Sequence, residues 1–351
     1  MISEHNKRTL VSPILLTASG IIVVAGLMAA QTIVIPVILA LFISIICTQP
    51  IIWLEKKKVP YALAMMLVLL IVGLVFIILG GIIGNSLSSF MKDASKYEEN
   101  LLQIVGSTID NLNEVGANIN TQQFFDLIDP GKILIFTAGA VGEIGSIMSD
   151  SFLILLITIF MLLEVKTFFY KTELIEKTHG KSLNYLNKIG ESIRHYLSIK
   201  TVVSILTGIC IWLWLLIIGV DYAILWGVIA FMLNYIPSIG SIVAAVPTTL
   251  LAMVQLGIGG MLWTGVGYLA VNMIMGNIIE PKVMGKGLGL STLVVFLSLI
   301  IWGFILGTVG MFLSIPLTIT IKILLEQNER TQWIAVLLGT EDETKQILEQ
   351  Q

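Results

Sequence analysis

The chain has 351 residues, of which 56% are hydrophobic and 12% charged, with a formal net charge of -3 and a mean hydropathy of +0.94. A soluble domain carries about 25% charged residues, so this composition excludes an ordinary soluble fold and describes a chain built to face lipid. No nucleic-acid partner is expected.

Apolar runs of about 20 residues match a hydrocarbon core about 30 Å thick. Eight such segments are predicted: Pro13 to Ala30, Ile33 to Leu54, Tyr61 to Gly84, Phe152 to Phe169, Thr201 to Gly219, Tyr222 to Gln255, Met261 to Ile279 and Leu290 to Leu325. The fold class is therefore an all-α membrane protein, a polytopic helical bundle in the cell membrane. The first run follows Lys7 and Arg8 and reads as an uncleaved helix rather than a secretory signal, because a second run begins almost at once.

Lys56, Lys57 and Lys58 follow the second run, and Lys166, Lys171, Lys177, Lys181, Lys188, Arg194 and Lys200 follow the fourth. Basic residues gather in short cytoplasmic loops, so the N-terminus, the basic loop and the C-terminus are expected in the cytoplasm. Ser44, Thr48 and Gln49-Pro50 form a small polar cluster in the second run, with a possible kink at Pro50 and nothing more specific.

Five regions are expected: transmembrane helices over 1–84, an insert over 85–150, a transmembrane helix and basic loop over 151–200, a transport core over 201–326 and an acidic cytoplasmic tail over 327–351. Acids outnumber bases in the insert, which places it outside. Within it Tyr97, Leu101, Ile104, Thr108, Leu112, Val115 and Ile119 recur at helical spacing and predict an amphipathic helix. Its stripe has two open readings: it rests on its own membrane domain or lipid, or it joins subunits of a homo-oligomer.

The segment from Tyr222 to Gln255 would be about 51 Å long as one straight helix, too long for a single crossing. Asn234, Pro237, Gly240 and Pro247 interrupt it, as Gly303, Gly307, Gly310 and Pro316 interrupt the run from Leu290 to Leu325. Proline removes a backbone donor and glycine loosens the turn, so both segments are expected to be re-entrant hairpins. Pro237 to Thr248 can be laid weakly against Gly307 to Thr318 with one gap, which suggests an inverted repeat, the first hairpin entering from outside and the second from inside. In secondary transporters such broken helices surround a midplane site.

Glu280 stands at the inner end of an apolar helix, in Asn277-x-x-Glu280-Pro281. A carboxylate near hydrocarbon is costly and usually functional. Its candidate role is Na⁺ or H⁺ coupling or gating, against a structural ion pair with Lys282 or Lys286. Asn277 lies one turn earlier on the same expected face and Asn272 lies deeper. With Asn234, Ser238 and Ser241 at the first hairpin tip they make the candidate solute pathway. Pro237, Gly240, Pro247, Pro281, Gly307, Gly310 and Pro316 are assigned to helix breaks. Trp226, Trp263 and Trp302 are read as packing residues or interface anchors.

Cys47 and Cys210 sit in apolar runs and are not expected to pair, while His5, His179 and His195 lie in polar segments away from acids and thiols. No metal or other cofactor is expected. No phosphate-binding loop is present, and no intramembrane histidine or aspartate pair suggests an enzyme. The function class left is a transporter for a small polar solute working by alternating access, the alternative being a passive oligomeric channel. Saturation and uphill transport separate the two.

The motifs Asn234-Tyr235-Ile236-Pro237-Ser238-Ile239-Gly240, Asn277-Ile278-Ile279-Glu280-Pro281-Lys282-Val283-Met284-Gly285-Lys286-Gly287-Leu288-Gly289-Leu290, Trp302-Gly303, Gly307-x-x-Gly310 and Pro316-Leu317-Thr318 occur in this order over about 100 residues. Together with Pro247 and Ser298 they resemble the autoinducer-2 exporter family of multi-pass permeases. That resemblance implies export of small signalling molecules in quorum sensing and, in some members, coupling to Na⁺ or H⁺. The chain departs from the family at Ser291-Thr292, where His or Asn followed by Pro is common.

Overall fold

A computed structural model describes residues 13–114, 116, 139, 150–179, 183–237, 239–284 and 289–349. Among these residues the secondary structure is helical, with no strand. Helices α1 (Pro13–Ala29), α2 (Gln31–Lys56), α3 (Tyr61–Glu114), α4 (Ser151–His179) and α5 (Asn184–Ile218) precede the short α6 (Ala223–Leu233). Then α7 (Gly240–Ile274) runs through a π-helical turn (Met275–Ile279) into α8 (Glu280–Met284). Helices α9 (Thr292–Phe312), α10 (Ser314–Glu326), α11 (Gln332–Leu338) and α12 (Glu341–Glu349) complete the chain. Among the described residues five helices are long and apolar enough to cross a membrane, and this is a polytopic membrane protein.

Helix α5 is the post on which the C-terminal half is built. Its 35 residues extend well before Thr201, so Lys188, Arg194 and Lys200, expected in a basic loop, lie on a continuous helix. The start of α5 is rich in polar residues and its other end is apolar, and the amphipathic first half gains enough packing to stay helical. The chain leaves α5 through Gly219 in the left-handed conformation (φ 85°) and returns as α6. The two helices cross with almost no side chain between them: a Cβ on Gly208 would sit 2.7 Å from the Gly227 carbonyl oxygen. Small residues permit this close approach between apolar helices.

Helix α6 ends at a tip, Asn234 to Ile239, and the chain turns back as α7. The Asp221 backbone N–H donates to Gln255 Oε1 at 2.9 Å, so this hairpin enters and leaves at the same, Gly219 end of α5. At Gly257 (φ 73°, ψ -167°) the chain reverses again. The second limb of α7 runs antiparallel to the first, as Ser241 donating to Asn272 Oδ1 at 2.8 Å and the Thr248–Tyr268 hydroxyl pair at 3.0 Å require. Residues this far apart in a straight helix would be tens of ångströms apart.

The second hairpin has its turn at Gly307 (φ 62°, ψ -148°), a conformation essentially confined to glycine. A Cβ on Gly310 would lie 1.9 Å from the Trp302 carbonyl oxygen, and Trp302 Nε1 donates to Thr318 Oγ1 across the limbs at 3.1 Å. Its base is tied to the Asn184 end of α5 by Lys188 and Glu326, 2.7 Å apart. The two hairpins therefore enter the bundle from opposite ends, the inverted order predicted. Their tips differ in kind: the first is a non-helical stretch between Leu233 and Gly240, the second a single glycine. The backbone motif that recurs is Gly257-x-x-Gly260 and Gly307-x-x-Gly310, where the second glycine meets the opposite limb at Ala252 and Trp302. The weak sequence match of Pro237 to Gly307 pairs the two tips but misses this local identity.

Five predicted breaks are corrected. Pro247 lies inside a helical limb, where Thr248 Oγ1 bonds the Ala244 carbonyl and Thr249 Oγ1 the Ala245 carbonyl. The carbonyl that Pro247 leaves without an N–H donor is that of Val243, one bond lost in a limb that stays helical through the proline. Gly310 is helical and serves close packing, as does Gly303 against Met311. Pro316 falls in the first turn of α10, a position that tolerates a missing N–H. Pro281 is the second residue of α8, after the π-turn rather than at a break. Pro50 is likewise internal to α2. Pro237 and Gly240 do bound the first tip, and a Cβ on Gly240 would lie 1.8 Å from the Leu233 carbonyl oxygen.

The helix expected in the insert is the direct continuation of α3. Ile83, Phe90 and Tyr97, seven residues apart, are buried in one core with Trp226 and Leu251. Tyr97 donates to Asp221 Oδ2 at 2.9 Å, and Tyr222 donates to Asp93, so α3 and the α5–α6 loop clasp each other reciprocally. Burial, reinforced by the Asp221 bond, pushes the Tyr97 hydroxyl pKa up, and burial and Asp93 push that of Tyr222 up to about 12. Both remain proton donors at neutral pH. Val115 and Ile119 of the predicted stripe lie outside the described residues.

Candidate functional site

The polar groups of the C-terminal half gather at the level where the first hairpin tip meets α5. Asn234 is buried and its amide donates to Ser204 Oγ at 3.0 Å. Tyr235 donates its hydroxyl to Thr201 Oγ1 at 2.8 Å. Both acceptors face the tip because they lie three residues apart on α5, within one helical turn. Ser241 and Asn272 pair across α7, one turn into the limb beyond the tip. Ser238 lies outside the described residues.

Glu280 carries the principal correction. Its partner is Lys200 of α5, whose Nζ donates to both carboxylate oxygens at 2.7 and 2.9 Å. The lysine side chain is 5% exposed and the glutamate 18%. Lys282 is exposed, and Lys286 lies outside the described residues. Sequence reasoning assigned Lys200 to a cytoplasmic loop because a positively charged residue at the edge of an apolar run ordinarily snorkels to water. The available signal was its place one residue before the run starting at Thr201, on the same face as Ser204 by four-residue spacing.

The π-turn over Met275–Ile279 explains what happens to Asn277. A π-turn closes i to i+5 rather than i to i+4, so the face that carries Glu280 toward α5 no longer carries Asn277. Glu280 is half-buried and Asn277 is exposed. The structure thus brings Asn234, Ser241, Asn272 and Glu280 to the neighbourhood of the first tip and leaves Asn277 aside. It adds Lys200, Thr201, Ser204 and Tyr235. Tyr196, one turn before Lys200, is fully buried, and its hydroxyl has no partner among the described residues.

The second tip has a different environment. A cavity of about 200 Å³ opens beside Gly307, walled by Gln31, Pro36, Asp150, Ile154, Leu306 and Thr308 among others. Gln31 Nε2 donates to the Ile305 carbonyl at 2.6 Å, holding the turn to the start of α2. A separate apolar groove of about 290 Å³ lies between α3 and the α5–α6 pair. Neither cavity lies between the two tips. The tryptophans divide as follows: Trp226 is fully buried, Trp263 is 60% exposed, and Trp302 bonds across the second hairpin. Among the described residues no group of histidine, cysteine, aspartate and glutamate is arranged to hold a metal.

This arrangement has known relatives. The profile of the AI-2E family transporter matches residues 17–330. A putative transport protein of Haemophilus influenzae is 38% identical over 347 residues, covering 97% of this chain and 100% of its own. The AI-2 transport protein TqsA of Escherichia coli is 38% identical over 319 residues, 91% of this chain and 93% of its own. The putative transport protein YhhT of the same species is 33% identical over 322 residues, 92% of each. A family profile over most of the chain and relatives 38% identical along nearly its whole length show that the chain belongs to the AI-2E transporter family.

Proposed function

We propose that this membrane transporter exports a small polar solute by alternating access, with the Asn184 end of α5 in the cytoplasm. The observation that carries the reading is the pair of hairpins entering from opposite ends and flanking one post. Such a bundle can close one end while the other is open. Asn234, Ser241, Asn272 and Glu280 supply hydrogen-bonding groups near the first tip, and the cavity beside Gly307 supplies polar space near the second. Polar groups at this depth are used where they bond protein or line a watery path. The solute first in line is autoinducer-2, because one relative is named an AI-2 transport protein.

Coupling to Na⁺ or H⁺ through Glu280 belongs to the same proposal. Reconstituted protein in vesicles, loaded with candidate solute and with Na⁺ or H⁺ gradients imposed, tests it. Saturable flux that a gradient drives uphill, and that Glu280→Gln reduces, supports the carrier. Flux proportional to concentration with no uphill component supports the passive channel instead. Homo-oligomer assembly is carried forward for the part of α3 beyond Tyr97, since Tyr97 itself is consumed by the clasp with Asp221. Cross-linking in native membranes checks it.

A further inference from the structure

We propose that Lys200 and Glu280 form the gate that shuts the Asn184 end of the path, with Lys200 as the residue that positions and neutralises Glu280. The inference rests on reading Glu280 as part of the path and adds the group that controls it.

Three observations converge on the pair. Lys200 is almost wholly buried, yet its ammonium meets both oxygens of one carboxylate. Burying two charges together stabilises a fold little compared with apolar residues of the same volume, because desolvation offsets their attraction. Such a pair is therefore poorly explained as a device for stability. It is well suited to an on–off contact, because water or a solute entering the site replaces what the charges give each other.

Position is the second observation. Lys200, Thr201 and Ser204 occupy little more than one turn of α5, and they hold Glu280, Tyr235 and Asn234 respectively. One short stretch of the post thus ties down both the first hairpin tip and the segment just after the π-turn. Opening the Lys200–Glu280 contact frees α8 to move at the point where the helix is already irregular, and π-turns of this kind are frequent at functional sites.

The third is Tyr196. Its hydroxyl is buried, has no partner among the described residues, and lies within electrostatic reach of Glu280 and Tyr235. A buried hydroxyl without a hydrogen bond is costly. In the open form it gains a partner, water or a solute hydroxyl, admitted when Glu280 moves away. Closed and open forms each leave a different polar group satisfied, which is what a two-state contact requires.

The test is cysteine accessibility in the full-length chain reconstituted in vesicles, with Cys47 and Cys210 replaced by alanine. The reporter is Ile236→Cys, at the buried first tip, probed with a membrane-impermeant maleimide from each face separately. Slow labelling is expected with the native pair. Glu280→Gln and Lys200→Met are expected to speed labelling from one face at least about tenfold, equivalent to about 1.4 kcal/mol of lost closure. The exchange Lys200→Glu with Glu280→Lys is expected to return it to the slow rate. Should Lys200→Met not yield folded protein, Lys200→Arg and Glu280→Gln carry the comparison, the first slow and the second fast. Ile258→Cys, at an exposed position, reports on folding and should label equally in every variant.

Equal reporter labelling in all variants overturns the gate, as does acceleration from both faces alike. The assay needs no transported solute, so it separates the two claims. Lost flux with unchanged labelling refutes the gate and leaves the transport reading standing, while gated labelling with no flux of any solute does the reverse.

Discussion

Both hairpins carry ties at tip and base, but the first tip is bonded to α5 through its own side chains and the second to α2 through a backbone carbonyl. Asn234 and Tyr235 anchor the first tip to α5 by side-chain bonds. The second tip is a single-residue turn at Gly307 and meets the bundle through Gln31 and the Ile305 carbonyl. At its base, Lys322 donates to the Gly289 carbonyl at 2.7 Å, Lys188 pairs with Glu326, and the Ser291 N–H donates to the Leu338 carbonyl of α11 at 3.1 Å. A tip held by its own side chains is free to swing only when those bonds break. The second hairpin keeps its root fixed and has its tip beside a cavity. The lesson is that hairpins with the same topology can divide the work of closing a path, one by polar locks and the other by packing.

The largest expected effect is at the lock nearest the first tip. Lys200→Met leaves a half-buried carboxylate without its counter-charge and should destabilise the folded chain by about 3 kcal/mol, read as a lowered melting temperature in detergent. An unchanged melting point would mean that Glu280 already faces water and that α8 has no such lock to α5.

The second hairpin is tested by its glycines. Gly310→Ala drives a methyl group into the Trp302 carbonyl, and Gly307→Ala forces alanine into a glycine conformation. Each should cost about 1–3 kcal/mol. If Gly310→Ala were silent while Asn234→Ala were severe, packing would not be what holds this hairpin. Asn234→Ala removes one hydrogen bond and leaves Ser204 unpaired, an expected cost of about 1–2 kcal/mol by chemical denaturation. It should also loosen the first tip without altering protease sensitivity at the second.

Smaller still is the clasp between α3 and the α5–α6 loop. The Tyr222 pKa is raised in the folded chain, so the clasp's contribution is fully present below about pH 10 and is lost as pH rises through about 12. Thermal melts of wild type and Tyr222→Phe should run parallel from pH 6 to about 9 and converge above about pH 10. Parallel curves through the whole range would show that Tyr222 makes no bond worth detecting. Pro247→Ala closes the series. It is expected to leave flux unchanged and stability equal or slightly raised, since the limb is helical through this residue. Lost transport would restore Pro247 as a functional break.

Composition and hydropathic run length determined the membrane setting, the helical class and the number and rough bounds of the apolar segments. These are properties each segment has alone, because every backbone group in lipid must bond within its own helix. The first tip was legible at Asn234 to Gly240 because proline and glycine act locally, and Glu280 stood out because an acid beside hydrocarbon is costly wherever it lands. Tertiary structure decided the rest. Pro247 is a break only until its limb packs as one helix through it, and Gly257 becomes a turn only when Gly260 can approach Ala252. Asn277 leaves the Glu280 face because the turn between them is π rather than α. Above all, Lys200 finds Glu280 across 80 residues. A partner that distant is set by how α5 and α8 pack, and no spacing along the chain records it.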